Sequence, residues 1–157
     1  DRVGHWASGA LAALGLEAVE PLLEVVRSVK PGHIDERGQV PDEQSGEDGA
    51  PCSDLVRIPG AVERLKSICA PAELERILVR AHNYGDASNA TVNRALGELA
   101  TPKAVGRLLV ALWNDHWSDE VRRPVIEALI HAGKAAHAQL LVDLDNLLPP
   151  TDPHGSP

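Results

Sequence analysis

Apolar residues recur along the chain at spacings of three and four, the period of a helix with one buried face. The stretch 17–29 shows this well, because charged residues fill the positions between the apolar ones. Glycines or prolines separate consecutive stretches of this kind and leave short turns between them. The pattern predicts an all-α protein of eight helices in four antiparallel hairpins, at 2–14, 17–29, 54–69, 72–83, 89–100, 103–114, 119–132 and 134–148.

One heptapeptide pattern occurs twice. Residues 53–59 and 118–124 share Ser, Asp, Val, Arg and Pro at the same places, 65 positions apart. In each copy the Ser is predicted to cap a helix, the Asp to face the positive end of its dipole, and the Pro to bend it. A weaker middle copy at 88–93 makes the repeat about 32 residues long. A repeat of this length predicts an α-solenoid of stacked helix pairs.

Residues 30–53 interrupt this regularity. They are rich in glycine and proline, and their six acidic side chains are opposed by Lys30 and Arg37 alone. Such a segment has too few apolar residues to fold by itself, so we expect a flexible acidic insertion in a domain spanning 1–148. Residues 149–157 are predicted to be a disordered tail or linker.

Composition narrows the range of functions. The net charge of −8 argues against the nucleic-acid backbone as principal partner, because that binding requires clustered cations. Apolar runs are too short for a membrane span, and Cys52 and Cys69 have no metal-ligand spacing. We therefore expect a cytoplasmic protein with reduced thiols and without metal, cofactor or catalytic residues. Because the chain begins at Asp1 without Met, we also expect it to be part of a longer protein.

The chain resembles the HEAT-repeat family, and within it the short bacterial units called PBS-lyase-type HEAT repeats. The resemblance rests on Asp-x-Val-Arg followed by Ala-Leu and Gly, as in 119–133, and on an Ala-Val-x-x-Leu-Leu helix, as in 104–109. It covers the chain except for the insertion and the tail. The middle unit departs from it, since Asn89 and Asn93 stand where the motif has Asp and Arg.

The resemblance implies roles for individual residues. Asp54, Arg57, Asp119 and Arg122 would form a structural ladder between neighbouring units. The second helix of each unit would line a concave partner-binding face, which nominates Arg64, Asn93, Arg123, Glu127 and His131. At the turn after helix 103–114, exposed tryptophans would form a binding hot spot, consisting of Trp113 and Trp117 with His116.

The leading hypothesis is a non-enzymatic scaffold that binds another protein or another domain of its own parent chain. Two alternatives follow from related proteins of this repeat type: an accessory subunit or domain of an enzyme, as in phycobilin lyases, and a HEAT-like nucleic-acid-binding protein. A further hypothesis is that the acidic segment 30–53 regulates binding by competing for a basic partner.

Overall fold

A computed structural model describes residues 10, 13–40, 48–113 and 118–147, apart from the side chains of the last two of these. Within this part of the chain the protein is all-α, as predicted, and contains no β-strand. Most of the predicted helix 2–14 and all of the predicted tail 149–157 lie outside the described residues. The α-helices whose bounds are described are α1 (Val19–Ser28), α2 (Gly49–Arg57), α3 (Ala61–Ile68), α4 (Pro71–Ala81), α5 (Ala90–Leu99), α6 (Pro102–Trp113), α7 (Asp119–Ala132) and α8 (Lys134–Leu147). A 3₁₀-helix (Gly15–Ala18) precedes α1, and a π-helix (His82–Asp86) follows α4.

The predicted helix 54–69 is two helices. α2 ends at Arg57, Ile58 is extended, and Gly60 has a left-handed φ of 79° before α3 begins. Pro59 lies inside this break, as expected of a residue that cannot donate an intrahelical hydrogen bond. Its repeat counterpart Pro124 lies inside α7, which continues without interruption. The two prolines therefore do not have the same structural effect.

Helix starts also differ from the predicted ones. α2 begins at Gly49, so the prediction that Ser53 caps it is wrong, and Ser53 lies buried within the helix. α7 does begin after Ser118, although the Ser118 hydroxyl makes no capping hydrogen bond. Side-chain caps are found at α6, where Thr101 Oγ1 accepts a hydrogen bond from the backbone N–H of Ala104, and at α5, where Asn89 Oδ1 accepts hydrogen bonds from those of Thr91 and Val92. The cap at α5 satisfies two of the free N–H groups at the helix start.

The helices form two rows. α3, α5 and α7 contact one another in sequence along one row, and α4, α6 and α8 do so along the other. Gly97 of α5 is essential to the contact with α7, because a Cβ at this position would lie 2.4 Å from the carbonyl oxygen of Ala128. Between the rows lies a core of Leu, Val, Ile and Ala side chains that includes Leu65, Ile77, Leu96 and Leu108. None of the described helices is long and apolar enough to cross a membrane.

The described parts of the predicted insertion belong to the packed structure, which differs from the expected flexible segment. Residues 49–53 are the first turns of α2, and Gly38 and Arg37 lie directly against the backbone of α6. A Cβ on Gly38 would lie 2.6 Å from the carbonyl oxygen of Lys103. The amino-acid composition of the segment did not indicate this packing, because the contacts are made by glycine backbone and charged side chains rather than by apolar residues.

A buried ion pair holds this segment to α4. Asp48 is 0% exposed and its Oδ1 lies 2.9 Å from Nε of Arg80, which is 2% exposed. The same carboxylate oxygen accepts a hydrogen bond from the backbone N–H of Gly32, 3.0 Å away. One carboxylate thus joins both sides of the segment to α4, and its burial without these partners would be costly.

We expect Asp48→Ala to destabilise the protein by about 3–5 kcal/mol, because it leaves the Arg80 guanidinium buried without its carboxylate. Denaturant unfolding followed by circular dichroism measures the change. Asp54→Ala is the matched control, since Asp54 is on α2 and makes no ion pair within the described residues. Equal destabilisation by the two substitutions would contradict the structural role of Asp48.

Candidate binding groove

A groove of about 390 Å³ crosses the row formed by α3, α5 and α7. Its lining includes the small residues Ala90 and Ala128, and Ala128 also makes the close contact with Gly97 between α7 and α5. Each of the three helices contributes a polar side chain to the rim. The lining residues are Glu63, Ala90, Thr91, Arg94, Pro124, Glu127, Ala128 and His131.

Charges of both signs border the groove. Lys66 donates hydrogen bonds to Glu63 on its own helix and to Glu98 on α5. The hydrogen bond from Lys66 holds the pKa of Glu98 below its usual range, and the charges of His131 and Arg94 act in the same direction. The rim is therefore an exposed surface of linked charges rather than a closed, water-free pocket.

The predicted concave face is found in part. Glu127 and His131 line the groove. Arg123 is exposed on the same helix but is not among the lining residues. Arg64 is half exposed and is bonded to Glu20 of α1, with its Nε 3.1 Å from Oε1. This bond lowers the pKa of Glu20. Arg64 thus links α3 to α1, beside the groove.

Asn93 does not belong to a binding surface, which corrects the prediction. Its side chain is 0% exposed and lies inside the helical stack. Asn93 Oδ1 is 2.8 Å from His82 Nε2, and its Nδ2 donates to the carbonyl of Ala87. An amide suits this enclosed position better than the Arg of the motif, because the amide oxygen accepts from His82 and the amide nitrogen donates to the carbonyl of Ala87.

His82 is the centre of a buried polar network. Arg107 Nε donates to His82 Nδ1 at 2.8 Å, so His82 carries its proton on Nε2 and donates it to Asn93. Arg107 also donates to Asn83 Oδ1, and Asn83 in turn donates to the carbonyl of Gly38. Burial, followed by the charge of Arg107, lowers the pKa of His82 to about 3. The network holds α4, α5, α6 and the segment around Gly38 together.

The tryptophan hot spot can be placed only in part. Trp113 ends α6 and is 67% exposed. His116 and Trp117 lie outside the described residues. Since Trp113 is on α6, it belongs to the row opposite the groove. It is therefore a separate exposed aromatic residue and not part of the groove rim.

The predicted ladder is replaced by a different link. Arg57 Nε donates to Asp86 Oδ1 at 2.9 Å, and Ser53 Oγ donates to Oδ2 of the same carboxylate. Asp86 is 5% exposed and lies in the turn before α5, so this contact ties α2 to the next hairpin. Asp54 and Asp119 make no ion pair within the described residues, and Arg122 has a buried Nε without a hydrogen-bond partner.

Sequence reasoning missed the buried charges Asp48, Arg80 and Arg107. A signal was present for the two arginines, since Arg80 and Arg107 directly neighbour residues of the apolar stripes of α4 and α6. For Asp48 there was none, because it is one of several acidic residues in a polar segment. The described residues contain no cluster of His, Cys, Asp or Glu suited to a metal. Cys52 is a buried free thiol whose pKa burial raises to about 12.

Because the folded protein keeps His82 neutral, its stability should depend on pH. Below about pH 6.5 the unfolded chain binds a proton that the folded state does not take up until about pH 3. Stability is therefore lost as pH falls through this window, by about tenfold in the unfolding equilibrium constant per pH unit. Denaturant unfolding between pH 7 and 5, where most carboxylates remain ionised, measures this slope.

His82→Gln should remove about one proton from the slope, and His137→Gln, at an exposed position of α8, should leave it unchanged. The comparison concerns slopes, so it remains valid if His82→Gln also lowers stability at pH 7. An unchanged slope in His82→Gln would contradict a neutral buried imidazole.

Comparisons of the chain with models of known protein families, with curated proteins and with solved structures find no significant match.

Proposed function

We propose that this chain is a non-enzymatic α-solenoid of the HEAT type that binds a polypeptide segment across the groove formed by α3, α5 and α7. The segment belongs to another protein or to another domain of the parent chain. The observation that carries the proposal is the groove itself: three helices of one row contribute exposed polar side chains to one continuous depression. Repeat stacks commonly bind extended partners in this way.

The contact pattern supports the solenoid. From α4 onward each helix contacts the next helix in the chain. It also contacts the second next helix, as α4 does α6 and α5 does α7, so that two rows form side by side. Stacked helix pairs require this pattern, because each unit covers the apolar face of its neighbours. The repeated Ser-Asp-x-x-Arg-x-Pro copies lie at the start of the array and near its end, in α2 and α7.

The groove suits a polypeptide better than a small molecule. It is open along the row, and its polar groups are spread over three helices rather than converging on one point. Glu63 and Glu127 provide carboxylates, and Arg94 and His131 provide nitrogen donors on the same rim. We infer a partner segment with basic side chains facing the two glutamates and a carboxylate or carbonyl facing Arg94.

The proposal gives the acidic segment 30–53 no role in competing for this groove. Its described residues contact the other row, where Arg37 lies 3.9 Å from Asp143 of α8 and Asn83 of the turn after α4 bonds to Gly38. Competition with a partner in the groove therefore finds no support in the packing of residues 30–40. These contacts support a structural role for the segment.

The proposal predicts that reversing the groove charges weakens partner binding. Arg94→Glu combined with Glu127→Arg keeps the net charge and changes exposed side chains only, so the fold should persist. The wild-type protein is used to capture partners from a lysate, and the affinity of each captured protein is then measured by titration calorimetry. At least a tenfold loss is expected in the double variant, because several of the partner's charges would face like charges.

Lys134→Glu combined with Asp145→Lys is the matched control, since both residues are exposed on α8 of the opposite row. It should bind the partner as the wild type does. Trp113→Ala tests the opposite row separately. If binding survives the groove variant but is lost in the α8 or Trp113 variant, the proposed binding surface is wrong.

A further inference from the structure

Helix α7 carries two apolar side chains on the side that turns away from the preceding helices. Ile126 is 44% exposed and Ile130 is 74% exposed. Each is two positions from Ala128, whose backbone packs against Gly97 of α5. Two residues correspond to a rotation of about 200° around a helix, so both isoleucines point away from α5.

Helix α8 is apolar on the corresponding side. Leu109 of α6 is 1% exposed and lies in an apolar cluster with Ala136 of α8, so this part of α6 is covered by α8. Leu141 stands 32 positions after Leu109, at the equivalent place of the repeat, and it is half exposed, as is Leu144. The side of α6 that the last helix pair covers thus has an exposed counterpart on α8. We call the surface formed by Ile126, Ile130, Leu141 and Leu144 the end face.

A further helix pair cannot cover the end face in the way that α7 covers α5. The two helices end alike, because their C-caps Ala100 and Gly133 both have positive φ and are 33 positions apart. In this alignment Ile130 stands at the place of Gly97. A Cβ on Gly97 would lie 2.4 Å from the carbonyl oxygen of Ala128, so the close approach of α7 requires glycine. Ile130 prevents such an approach, and the end face therefore fits an occupant that meets it with side chains.

The charges along α8 fit a second copy of this chain. Lys134 and His137 come before Leu141 and Asp145 comes after it, at helical spacings of three and four on one exposed side. Two copies of α8 that cross antiparallel at Leu141 bring the basic end of each copy against the acidic end of the other. A twofold axis makes this contact twice. A parallel arrangement would instead place like charges together.

The size of the end face suits a weak dimer. α7 and α8 have 14 residues each, so each is about 21 Å long, and two helices side by side are about 20 Å wide. The face is therefore on the order of 400 Å² in projection, against about 800 Å² of accessible surface per partner in a standard interface. We expect a dissociation constant on the order of 10 µM, as for a transient complex.

We propose that the end face is a homodimer interface, in which α7 and α8 of two copies pack against each other about a twofold axis. Ile130 and Leu141 form its apolar centre, and Lys134 and Asp145 form its charged border. The dimer joins two helical arrays end to end. The proposal does not depend on partner binding in the groove, because association is measured on the protein alone.

Sedimentation velocity of the full 157-residue chain, from about 1 to about 300 µM, tests the proposal. The expected result is a shift from monomer to dimer without larger species, because a twofold interface closes on itself. Ile130→Glu and Leu141→Glu should each weaken the dimer at least tenfold, since a carboxylate would be buried among apolar side chains. Both side chains are exposed in the monomer, so the fold should persist, and circular dichroism verifies this.

Val25→Glu is the matched control, because Val25 is an exposed apolar residue of α1, in the first described helix pair. It should leave the association unchanged. A monomer at every concentration overturns the proposal, and so does a series of larger oligomers. Association that is lost in Val25→Glu but kept in Ile130→Glu also overturns it, because the contact would then lie at the other end of the array.

A charge exchange tests the antiparallel arrangement. Lys134→Glu alone and Asp145→Lys alone should each weaken the dimer by about three- to tenfold, since each places like charges together at two symmetric contacts. The double variant Lys134→Glu with Asp145→Lys should recover the affinity of the wild type, because opposite charges face each other again. A double variant that associates no better than the single variants would contradict the proposed interface.

Discussion

The structure depends on burying charges as ion pairs. Asp48 and Arg80 are almost completely enclosed, and their contact joins the segment between α1 and α2 to α4. A buried ion pair adds little net stability over apolar residues of the same size, but removing one partner is costly. We infer that its role is specificity, because a path of the segment that separated Asp48 from Arg80 would leave both charges buried apart. The His82, Asn93 and Arg107 network imposes the same constraint on α4, α5 and α6.

The two rows of helices differ in how far the segment 30–40 covers them. The row of α4, α6 and α8 is occupied by the segment 30–40, which is held there by Gly38, Asn83 and Arg37. The row of α3, α5 and α7 is left open and carries the groove. A partner that binds the open row would not have to displace any part of the described segment. The covered row thus supports placing the proposed binding on the row of α3, α5 and α7.

The periodicity of apolar residues was sufficient to predict most helices, but not the polar contacts that connect them. The bounds of α5 to α8 match the predicted ones within one residue, because these helices have clear apolar stripes and ordinary turns. At Ile58 the predicted bend is a complete break, because Gly60 with its left-handed φ follows Pro59. The early start of α2 at Gly49 could not be predicted, since Asp48 and Ser53 are buried by partners distant in sequence. Asn93 was wrongly predicted to be exposed for the same reason. A polar residue on the predicted polar face of a helix is expected in solvent unless its buried partners, here His82 and the carbonyl of Ala87, are known.

The groove itself was partly predictable. Glu127 and His131 were identified because the repeat places them on one face of α7, whereas Glu63, Thr91 and Arg94 depend on how α3 and α5 are rotated against it. Hydrogen–deuterium exchange of the protein with and without a captured partner tests the central claim most directly. The account predicts new protection in α3, α5 and α7, at the turns that carry Glu63, Arg94 and Glu127. Protection confined to α4, α6, α8 or residues 30–40 would contradict it.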